Sequence, residues 1–188
     1  MAGWPKTGGA PRGRQWRTAG WALAALLLLT PWIAMQFSDE VNWSGADFAI
    51  AGALILATGV TFEVAARLTC SRRYRAAVSI ALAAAVLLIW INGAVGIIGS
   101  EENPANLLYA GVLAIGLIGA IMARFRASGM ARALLATAIG QALVGAIALA
   151  SGLGSTAPSF PEAIMLLTGF FGGLWLVSAY LFRKAALH

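Results

Sequence analysis

The sequence is poor in the residues that usually build catalytic or metal centres. It contains one cysteine, Cys70, and one histidine, His188. These counts exclude a disulfide within the chain, a bis-histidine haem and a multi-histidine copper or zinc site. Both lysines, Lys6 and Lys184, lie outside the apolar segments, which excludes a retinal Schiff base in a membrane. We therefore expect a non-enzymatic protein with no metal and no cofactor.

Charge is scarce as well, because 11% of the residues are charged whereas 60% are hydrophobic. Such a chain cannot cover a globule with a polar surface of ordinary composition. A helix needs about 20 apolar residues to cross a bilayer, and six stretches meet this length. They are Thr18 to Phe37, Asp47 to Leu68, Ala76 to Ile98, Pro104 to Ala123, Ala131 to Gly152 and Phe160 to Phe182.

The charges that are present segregate by sign. The basic residues occupy both ends and alternate connections, as Lys6, Arg12, Arg14 and Arg17; Arg67, Arg72, Arg73 and Arg75; Arg124, Arg126 and Arg132; and Arg183 and Lys184. The intervening connections carry Asp39, Glu40, Asp47, Glu101, Glu102 and Glu162. Because basic loops stay in the cytoplasm, the pattern predicts an all-α membrane protein with six transmembrane helices in three consecutive hairpins and both termini cytoplasmic.

The chain accordingly divides into three parts. Residues 1–17 form a disordered, basic cytoplasmic N-terminus, residues 18–184 the six-helix transmembrane domain, and residues 185–188 a short tail. The net charge of +6 lies in turns between spans, where anionic lipid headgroups stabilise each basic residue by about 1 kcal/mol. We expect membrane lipids as partners and no nucleic acid.

The three hairpins share a regular spacing. Their first arginines, Arg17, Arg75 and Arg132, are 58 and 57 residues apart. Tandem duplication explains this spacing. The spacing is equally explained if all six helices have similar lengths because they cross a bilayer of one thickness. The sequence leaves the two explanations open.

Three predicted helices begin with capping signals in the acidic connections. Ser44 with Asp47, and Ser159 with Glu162, have the spacing of a capping box, and Asn103 with Pro104 has the order of an N-cap and a first helical proline. The acidic pairs Asp39–Glu40 and Glu101–Glu102 are interpreted as solvated loop residues rather than as cation ligands. The acidic connections therefore have a structural explanation.

Glu63 is the ionisable residue placed furthest inside an apolar segment. Burying its charge in a membrane is costly, so such residues are functional candidates. Arg67 lies four residues further on, in the favourable order for a helical ion pair. We expect an interfacial Glu63–Arg67 salt bridge, with a proton- or cation-handling carboxylate as the alternative.

Asn92 and Gln141 are the strongest neutral polar groups within the predicted spans. Amides in this position commonly bind a neighbouring helix. Together with Glu63 they alternatively line a narrow polar path. Glu63, Asn92 and Gln141 therefore make up the candidate intramembrane polar site.

Glycines recur along the predicted spans. Gly169 and Gly173 have the four-residue spacing that lets two membrane helices approach closely. This pair is the candidate surface for helix packing, either within the bundle or with another subunit.

One stretch of the sequence carries a resemblance. The segment WINGAVGIIGSEENPANLLYAGV from Trp90, followed by IMARFRASGMAR ending at Arg132, is similar to parts of a family of proteobacterial multi-pass inner-membrane proteins with no assigned activity. The likeness covers under a third of the chain and implies an inner-membrane location.

The sequence thus predicts an accessory or interaction subunit of the bacterial inner membrane, packed through small residues against itself or a larger complex. The alternative is a small-solute or proton-coupled channel or transporter that uses Glu63, Asn92 and Gln141. Convergence of those three side chains on one cavity would favour the transporter.

Overall fold

The computed structural model of the chain describes residues 12–37, 42–69 and 71–187. Within these ranges the regular structure is helical, in the order α1 (Arg12–Ala34), α2 (Gly45–Leu68), α3 (Arg72–Ala94), α4 (Leu108–Met122), α5 (Ala127–Ala150) and α6 (Glu162–Ala185). A 3₁₀ turn, Pro104–Leu107, leads directly into α4. Lys6, Asp39, Glu40, Cys70 and His188, with the expectations attached to them, lie outside the described residues.

Five of these helices are long and apolar enough to cross a membrane. The candidate spans contain 19 to 24 residues and are Gly45–Arg67, Arg72–Ala94, Pro104–Met122, Ala127–Ala150 and Glu162–Ala185. At about 1.5 Å per residue each reaches roughly 28 Å or more. The apolar part of α1, Thr18–Ala34, is shorter. The chain is therefore an all-helical membrane protein with five candidate spans in its described part.

The chain forms two compact units that divide after Val60, within α2. In the first unit, α1 and the part of α2 that precedes the division meet through an aromatic side chain. A methyl group added to Gly59 would lie 2.7 Å from the Trp21 ring. The glycine is thus required for the close approach of these two helices.

The second unit contains a bundle of α3, α4, α5 and α6. Helices α5 and α6 share the most extensive interface, α3 packs against α6, and α4 packs against α5, whereas α3 and α4 contact each other little. Consecutive helices therefore pair as a tight hairpin at α5–α6 but not at α3–α4. Leu88, Tyr109, Phe171 and Phe182 are among the large side chains that are fully buried in this bundle.

A serine hydroxyl joins two helices in the bundle. Ser178 on α6 is fully buried and donates a hydrogen bond of 2.8 Å to the carbonyl oxygen of Ala77 on α3. This bond pairs a polar group that lipid could not satisfy. Our sequence interpretation assigned such contacts to amide side chains and did not single out Ser178.

The outer surface of the bundle is apolar, as a membrane requires. Large side chains such as Leu117, Met122, Leu166 and Leu176 are 50% to 79% exposed on α4 and α6. In water such a continuous apolar surface would drive aggregation. In a bilayer the same surface faces hydrocarbon at no comparable cost.

Two of the three predicted helix starts are confirmed. The Ser44 backbone N–H donates to Asp47 Oδ2 at 2.7 Å, and the Asp47 N–H donates to Ser44 Oγ at 3.3 Å, which is a complete capping box. The side chain of Asn103 accepts from the Ala105 N–H at 3.0 Å. These bonds are local in sequence, which is why spacing alone predicted them.

The third predicted cap, Ser159 with Glu162, is wrong. Helix α6 begins at Glu162 after Pro161, and no side chain caps its first turn. The backbone carbonyl of Ser159, rather than its hydroxyl, accepts from the Ala163 N–H at 2.9 Å. The preceding residues form consecutive turns, so the helix starts two residues later than the box requires.

The predicted end of the third span is also wrong. Helix α3 ends at Ala94 instead of Ile98. Gly96 has a φ of +74°, a left-handed conformation that stops a helix and favours glycine. Ile97 and Ile98 are consequently buried in a loop rather than on the helix.

Candidate functional site

The Glu63–Arg67 ion pair expected from the sequence is present. Arg67 donates to Glu63 Oε1 at 2.6 Å along α2, and the Arg67 side chain remains mostly exposed. The Glu63 charge is therefore compensated on its own helix.

Asn92 connects the end of α3 to the start of α4. Its amide Nδ2 donates to the backbone carbonyl of Asn106 at 3.0 Å. Its carbonyl oxygen Oδ1 is buried and has no partner among the described residues. Asn92 therefore fulfils half of its expected role in helix association and keeps one free acceptor.

Asn106 is the residue that our sequence interpretation missed. It is 4% exposed, and its Oδ1 accepts from the backbone N–H groups of Ile97 and Ile98 at 3.1 and 2.9 Å. Its Nδ2 donates to the Ser100 carbonyl at 2.6 Å. One side chain thus satisfies the loop backbone that the early end of α3 leaves unpaired. The signal in the sequence was an asparagine that follows the closely spaced glycines Gly96 and Gly99.

The two turns at this end of the bundle meet backbone to backbone. A methyl group added to Gly154, in the α5–α6 connection, would lie 2.7 Å from the Gly99 amide nitrogen. Both glycines have a positive φ. The contact fixes the loop that Asn106 holds.

Gln141 lies on the inward face of α5, and its side-chain amide, contrary to expectation, forms no hydrogen bond with another described residue. The residue is 0% exposed, and neither Nε2 nor Oε1 has a hydrogen-bond partner in the described part of the chain. The expected bond to a neighbouring helix is therefore missing. An amide left unpaired in an apolar interior costs about 1 to 3 kcal/mol.

Gln141 belongs to a set of buried polar atoms without partners. The other members are Asn92 Oδ1, Tyr109 Oη, Thr168 Oγ1 and Trp175 Nε1. The hydroxyls of Tyr109 and Thr168 lie near each other without forming a well-aligned bond. We call these five residues the buried polar set. Buried groups of this kind are usually satisfied by ordered water or by a ligand.

Members of the set occupy neighbouring positions in the bundle. A methyl group on Gly145 of α5 would lie 2.8 Å from Thr168 Cγ2 on α6. Gln141 is four residues before Gly145, hence one turn away on the same face of α5. The set therefore extends from the α3–α4 side of the bundle towards its centre.

A cleft of about 560 Å³ separates the end of α3 from the start of α4. Leu88 and Ile89 form part of its apolar wall, and Asn92 and Tyr109 are also among its lining residues. Glu101 and Glu102 lie at its edge and are exposed. We call this space the α3–α4 cleft. Its volume lies within the range of small-molecule sites.

The three residues of the candidate polar site do not share this cleft. Asn92 lines it, whereas Glu63 and Gln141 are not among its lining residues. Glu63 is paired to Arg67 near the end of α2, and Gln141 is enclosed within the bundle. The structure thus brings Asn92 together with Tyr109 instead of with Glu63.

The candidate packing glycines, Gly169 and Gly173, face outward from α6. A methyl group added to either would meet no atom within 4 Å. By contrast, methyl groups on Gly119, Gly140 and Gly145 would lie within 3 Å of a side chain on the adjacent helix. The bundle therefore uses Gly119, Gly140 and Gly145 for close contacts and leaves the Gly169–Gly173 pair open.

A second cavity, of about 430 Å³, lies at the turn between α4 and α5. Arg124, Arg126 and Arg132 line it, and none of the three makes an ion pair within the described residues. The turn is held to α3 by the Tyr74 hydroxyl, which donates to the Phe125 carbonyl at 2.6 Å. This basic cluster is one of the four that the sequence analysis predicts on the cytoplasmic side.

Among the described residues, no group of three histidine, cysteine, aspartate or glutamate side chains is arranged to hold a metal ion. No protein-family model, curated protein or solved structure matches this chain.

Proposed function

We propose that this protein is a non-enzymatic interaction subunit of a membrane, which associates with other membrane helices through the outward glycine face of α6. The observation that carries the proposal is the contrast between Gly119, Gly140 and Gly145, which contact a neighbouring helix closely, and the open Gly169–Gly173 pair with its four-residue spacing. Between membrane helices, close packing of small residues replaces the hydrophobic driving force available in water.

The partner that fits this face best is a second copy of the chain. Copies inserted in the same orientation place Gly169 and Gly173 at equal depth, so two α6 helices can cross in parallel at these glycines. Exposed side chains flank the pair, among them Leu166, Phe170 and Leu176. They supply the apolar contacts around the crossing point. A larger complex is the other outcome that the test distinguishes.

Energy transfer between labelled full-length chains in lipid vesicles tests self-association. The double substitution Gly169→Ile and Gly173→Ile should lower the dimer fraction, with a loss of about 1 to 2 kcal/mol in association free energy because the helices can no longer approach closely. Gly111→Ile on α4 is the matched control, since a methyl group at Gly111 also meets no atom within 4 Å. This control should dimerise as the parent chain does.

Two results would contradict the second-copy assignment. Equal dimerisation of the double variant and the control would show that the glycine face is not part of the interface. A monomeric parent chain that co-purifies with another membrane protein, and loses it in the double variant, would assign the face to a larger complex.

The proposed setting is the bacterial inner membrane, with six crossings and both termini in the cytoplasm. The alternating basic and acidic connections support this orientation, and Arg124, Arg126 and Arg132 would then meet anionic headgroups. In a Cys70→Ser background, cysteine at position 101 should react with an impermeant thiol reagent from outside whole cells, whereas cysteine at position 126 should not. Labelling of position 126 but not of position 101 would show that the orientation is the opposite of the one proposed.

A second candidate function, a small-solute or proton-coupled channel or transporter, is favoured by the bare Gln141 amide. A polar group in this position is consistent with water along a path through the bundle. In reconstituted vesicles, Glu63→Gln and Gln141→Leu should each abolish a measured proton or solute flux if the path exists. Flux that is absent from the parent chain, or unchanged in both variants, would exclude this function.

A further inference from the structure

The cavity at the turn between α4 and α5 is lined by three arginines. Arg124, Arg126 and Arg132 are exposed, and none of them forms an ion pair within the described residues. A guanidinium group is charged at every physiological pH and presents several N–H donors in one plane. Three such groups around one space of about 430 Å³ favour an anion. We call this space the α4–α5 cavity.

Contacts with other parts of the bundle fix the backbone of this turn. Arg124 and Phe125 have φ values of +47° and +57°, a left-handed conformation that residues other than glycine adopt only where their surroundings hold them. The Tyr74 hydroxyl on α3 provides one contact, through its 2.6 Å bond to the Phe125 carbonyl. Gly129 on α5 provides another, because a methyl group added to it would lie 2.5 Å from Ala123 Cβ. The wall of the cavity is therefore tied to both helices.

The first turn of α5 adds hydrogen-bond donors to the same wall. The helix begins at Ala127, and no side chain caps its first turn. Backbone N–H groups at the start of a helix have no partner within it, and the helix dipole makes that end positive. Ser128 and Gly129, the second and third residues of α5, line the cavity. These donors supplement the arginines and suit an anion with several oxygens, such as phosphate.

No carboxylate at this end of the bundle offsets the three arginine charges within the described part of the second unit. Glu63 is paired with Arg67. Glu101, Glu102 and Glu162 lie in connections at the opposite end of the bundle, and the 15 residues of α4 separate the two ends by about 22 Å. This distance exceeds twice the Debye length of about 8 Å at physiological salt. A neutralising anion must therefore come from outside the described part of the chain.

An apolar surface adjoins the cavity. Met122, the last residue of α4, lines the cavity and is 79% exposed. Ile118 and Ile121, near the same end of α4, are also more than half exposed. A ligand with a phosphate head and hydrocarbon chains would meet the arginines and this apolar surface side by side. The surroundings of the cavity thus favour a lipid over a soluble anion.

We propose that the α4–α5 cavity recognises the terminal phosphate of a phosphomonoester, and that the ligand is a membrane lipid with this headgroup. A phosphomonoester carries a charge of about −1.5 to −2 at pH 7 and three free oxygens. A phosphodiester carries a single charge and two free oxygens, so it engages fewer guanidinium groups. The general attraction of basic turns to anionic headgroups involves no such choice. The inference rests on the proposed function only in placing this turn at a membrane surface, and self-association through α6 plays no part in it.

Competition between two anionic phospholipids tests the selectivity. The full chain is reconstituted in phosphatidylcholine nanodiscs that contain equal small amounts of phosphatidic acid and phosphatidylglycerol with the same acyl chains. Native mass spectrometry then identifies the retained lipid. We expect one phosphatidic acid per chain and about tenfold weaker retention of phosphatidylglycerol, because a hydrogen bond between charged groups is lost. Equal retention of the two lipids would overturn the lipid assignment.

Substitutions locate the site. Arg124→Gln with Arg126→Gln should abolish the preference for phosphatidic acid, because two of the three guanidinium groups are lost. The matched control is Arg72→Gln with Arg73→Gln, which removes two exposed arginines at the start of α3 that do not line the cavity. This control should retain phosphatidic acid as the parent chain does. An equal loss in the control would show attraction to general surface charge and overturn the site.

A single substitution outside the left-handed turn guards against misfolding. Arg132→Gln lies in the second turn of α5 and should weaken the retention of phosphatidic acid several-fold. Unfolding in mixed detergent should be the same for this variant and the parent chain, which separates a loss of the site from a loss of the fold. Undiminished retention in Arg132→Gln and in the double variant would overturn the proposal.

Inorganic phosphate distinguishes a lipid headgroup from a soluble ligand. It is titrated by calorimetry into the full chain in non-ionic detergent without lipid, at constant ionic strength. The nanodisc preference for phosphatidic acid, with or without weak phosphate binding, would support the lipid headgroup. Saturable phosphate binding with no preference between the two lipids would overturn the lipid and assign the cavity to a soluble phosphomonoester. The absence of both would overturn phosphate recognition altogether.

Discussion

The two faces of α6 differ more than neighbouring residues in its sequence suggest. Phe170 and Phe171 are adjacent and touch edge to face, with ring centroids 5.2 Å apart. Phe171 is fully buried in the bundle, whereas Phe170 is 47% exposed. The same residue type therefore has two roles within one turn of helix. In a membrane the hydrophobicity of a residue does not reveal which way it faces, because lipid and protein interior are both apolar.

The difference extends along the helix. The inward face carries Thr168, Trp175 and Ser178, which meet side chains or backbone of the bundle, and the outward face carries Gly169 and Gly173, which meet nothing in it. Inward substitutions should therefore alter the stability of a single chain. Outward substitutions should alter what that chain associates with.

The largest effect on stability should follow from Gly145→Val, which fills the space that Thr168 occupies on α6. Overpacking a close helix contact costs about 1 to 3 kcal/mol because the backbones must separate. Unfolding in mixed detergent with increasing dodecyl sulfate, at low protein concentration, measures the change. Gly173→Val on the outward face should change the free energy of unfolding by less than about 0.5 kcal/mol. Equal losses of unfolding free energy in Gly145→Val and Gly173→Val would show that the inward and outward faces of α6 do not differ in their contribution to stability.

A comparable effect is expected from Phe171→Ala. The substitution leaves a cavity of about 100 Å³, and at about 24 cal/mol per Å³ the loss is about 2.4 kcal/mol. Because lipid is itself apolar, the transfer free energy of the phenyl ring contributes little to stability in a membrane. The cavity therefore accounts for most of the expected loss. Phe170→Ala, measured in the same unfolding assay, should cost less than about 0.5 kcal/mol. A larger loss for Phe170→Ala than for Phe171→Ala would show that the orientation of α6 is wrong.

The smallest effect should come from Ser178→Ala, which removes the bond to the Ala77 carbonyl. Hydrogen bonds between membrane helices contribute about 0.6 kcal/mol on average. Ser79→Ala is the control, because the Ser79 hydroxyl bonds the Arg75 carbonyl within its own helix at 3.0 Å. A stability loss in Ser79→Ala that equals the loss in Ser178→Ala would mean that the contact between α3 and α6 adds nothing of its own.

Local features of the fold were predictable. The Ser44–Asp47 box, the Asn103 cap and the Glu63–Arg67 pair each join residues two to four apart. Their geometry is fixed once the helix forms. The end of α3 was missed although its signal, Gly96, is local, since the apolar run through Ile98 outweighed it in the interpretation.

The candidate site was only partly predictable. Asn92 and Gln141 were identified as buried amides, but the partner of Asn92 is the backbone carbonyl of Asn106 and Gln141 has none among the described residues. Tyr109 was not included in the candidate site, yet it is buried and lines the cleft. These outcomes depend on which helices are neighbours, and periodicity does not specify neighbours when helices are apolar on all sides.

The sequence by itself determined that the chain is an apolar, all-helical membrane protein and where most of its helices lie, because helix length and capping depend on residues close together in the chain. Only the tertiary structure decided that α3 packs against α6 rather than α4, that the glycines of α5 are filled while Gly169 and Gly173 are open, and that a cleft separates α3 from α4. The physical reason is that helix association in lipid depends on the fit of surfaces, and that fit exists only once the helices are side by side.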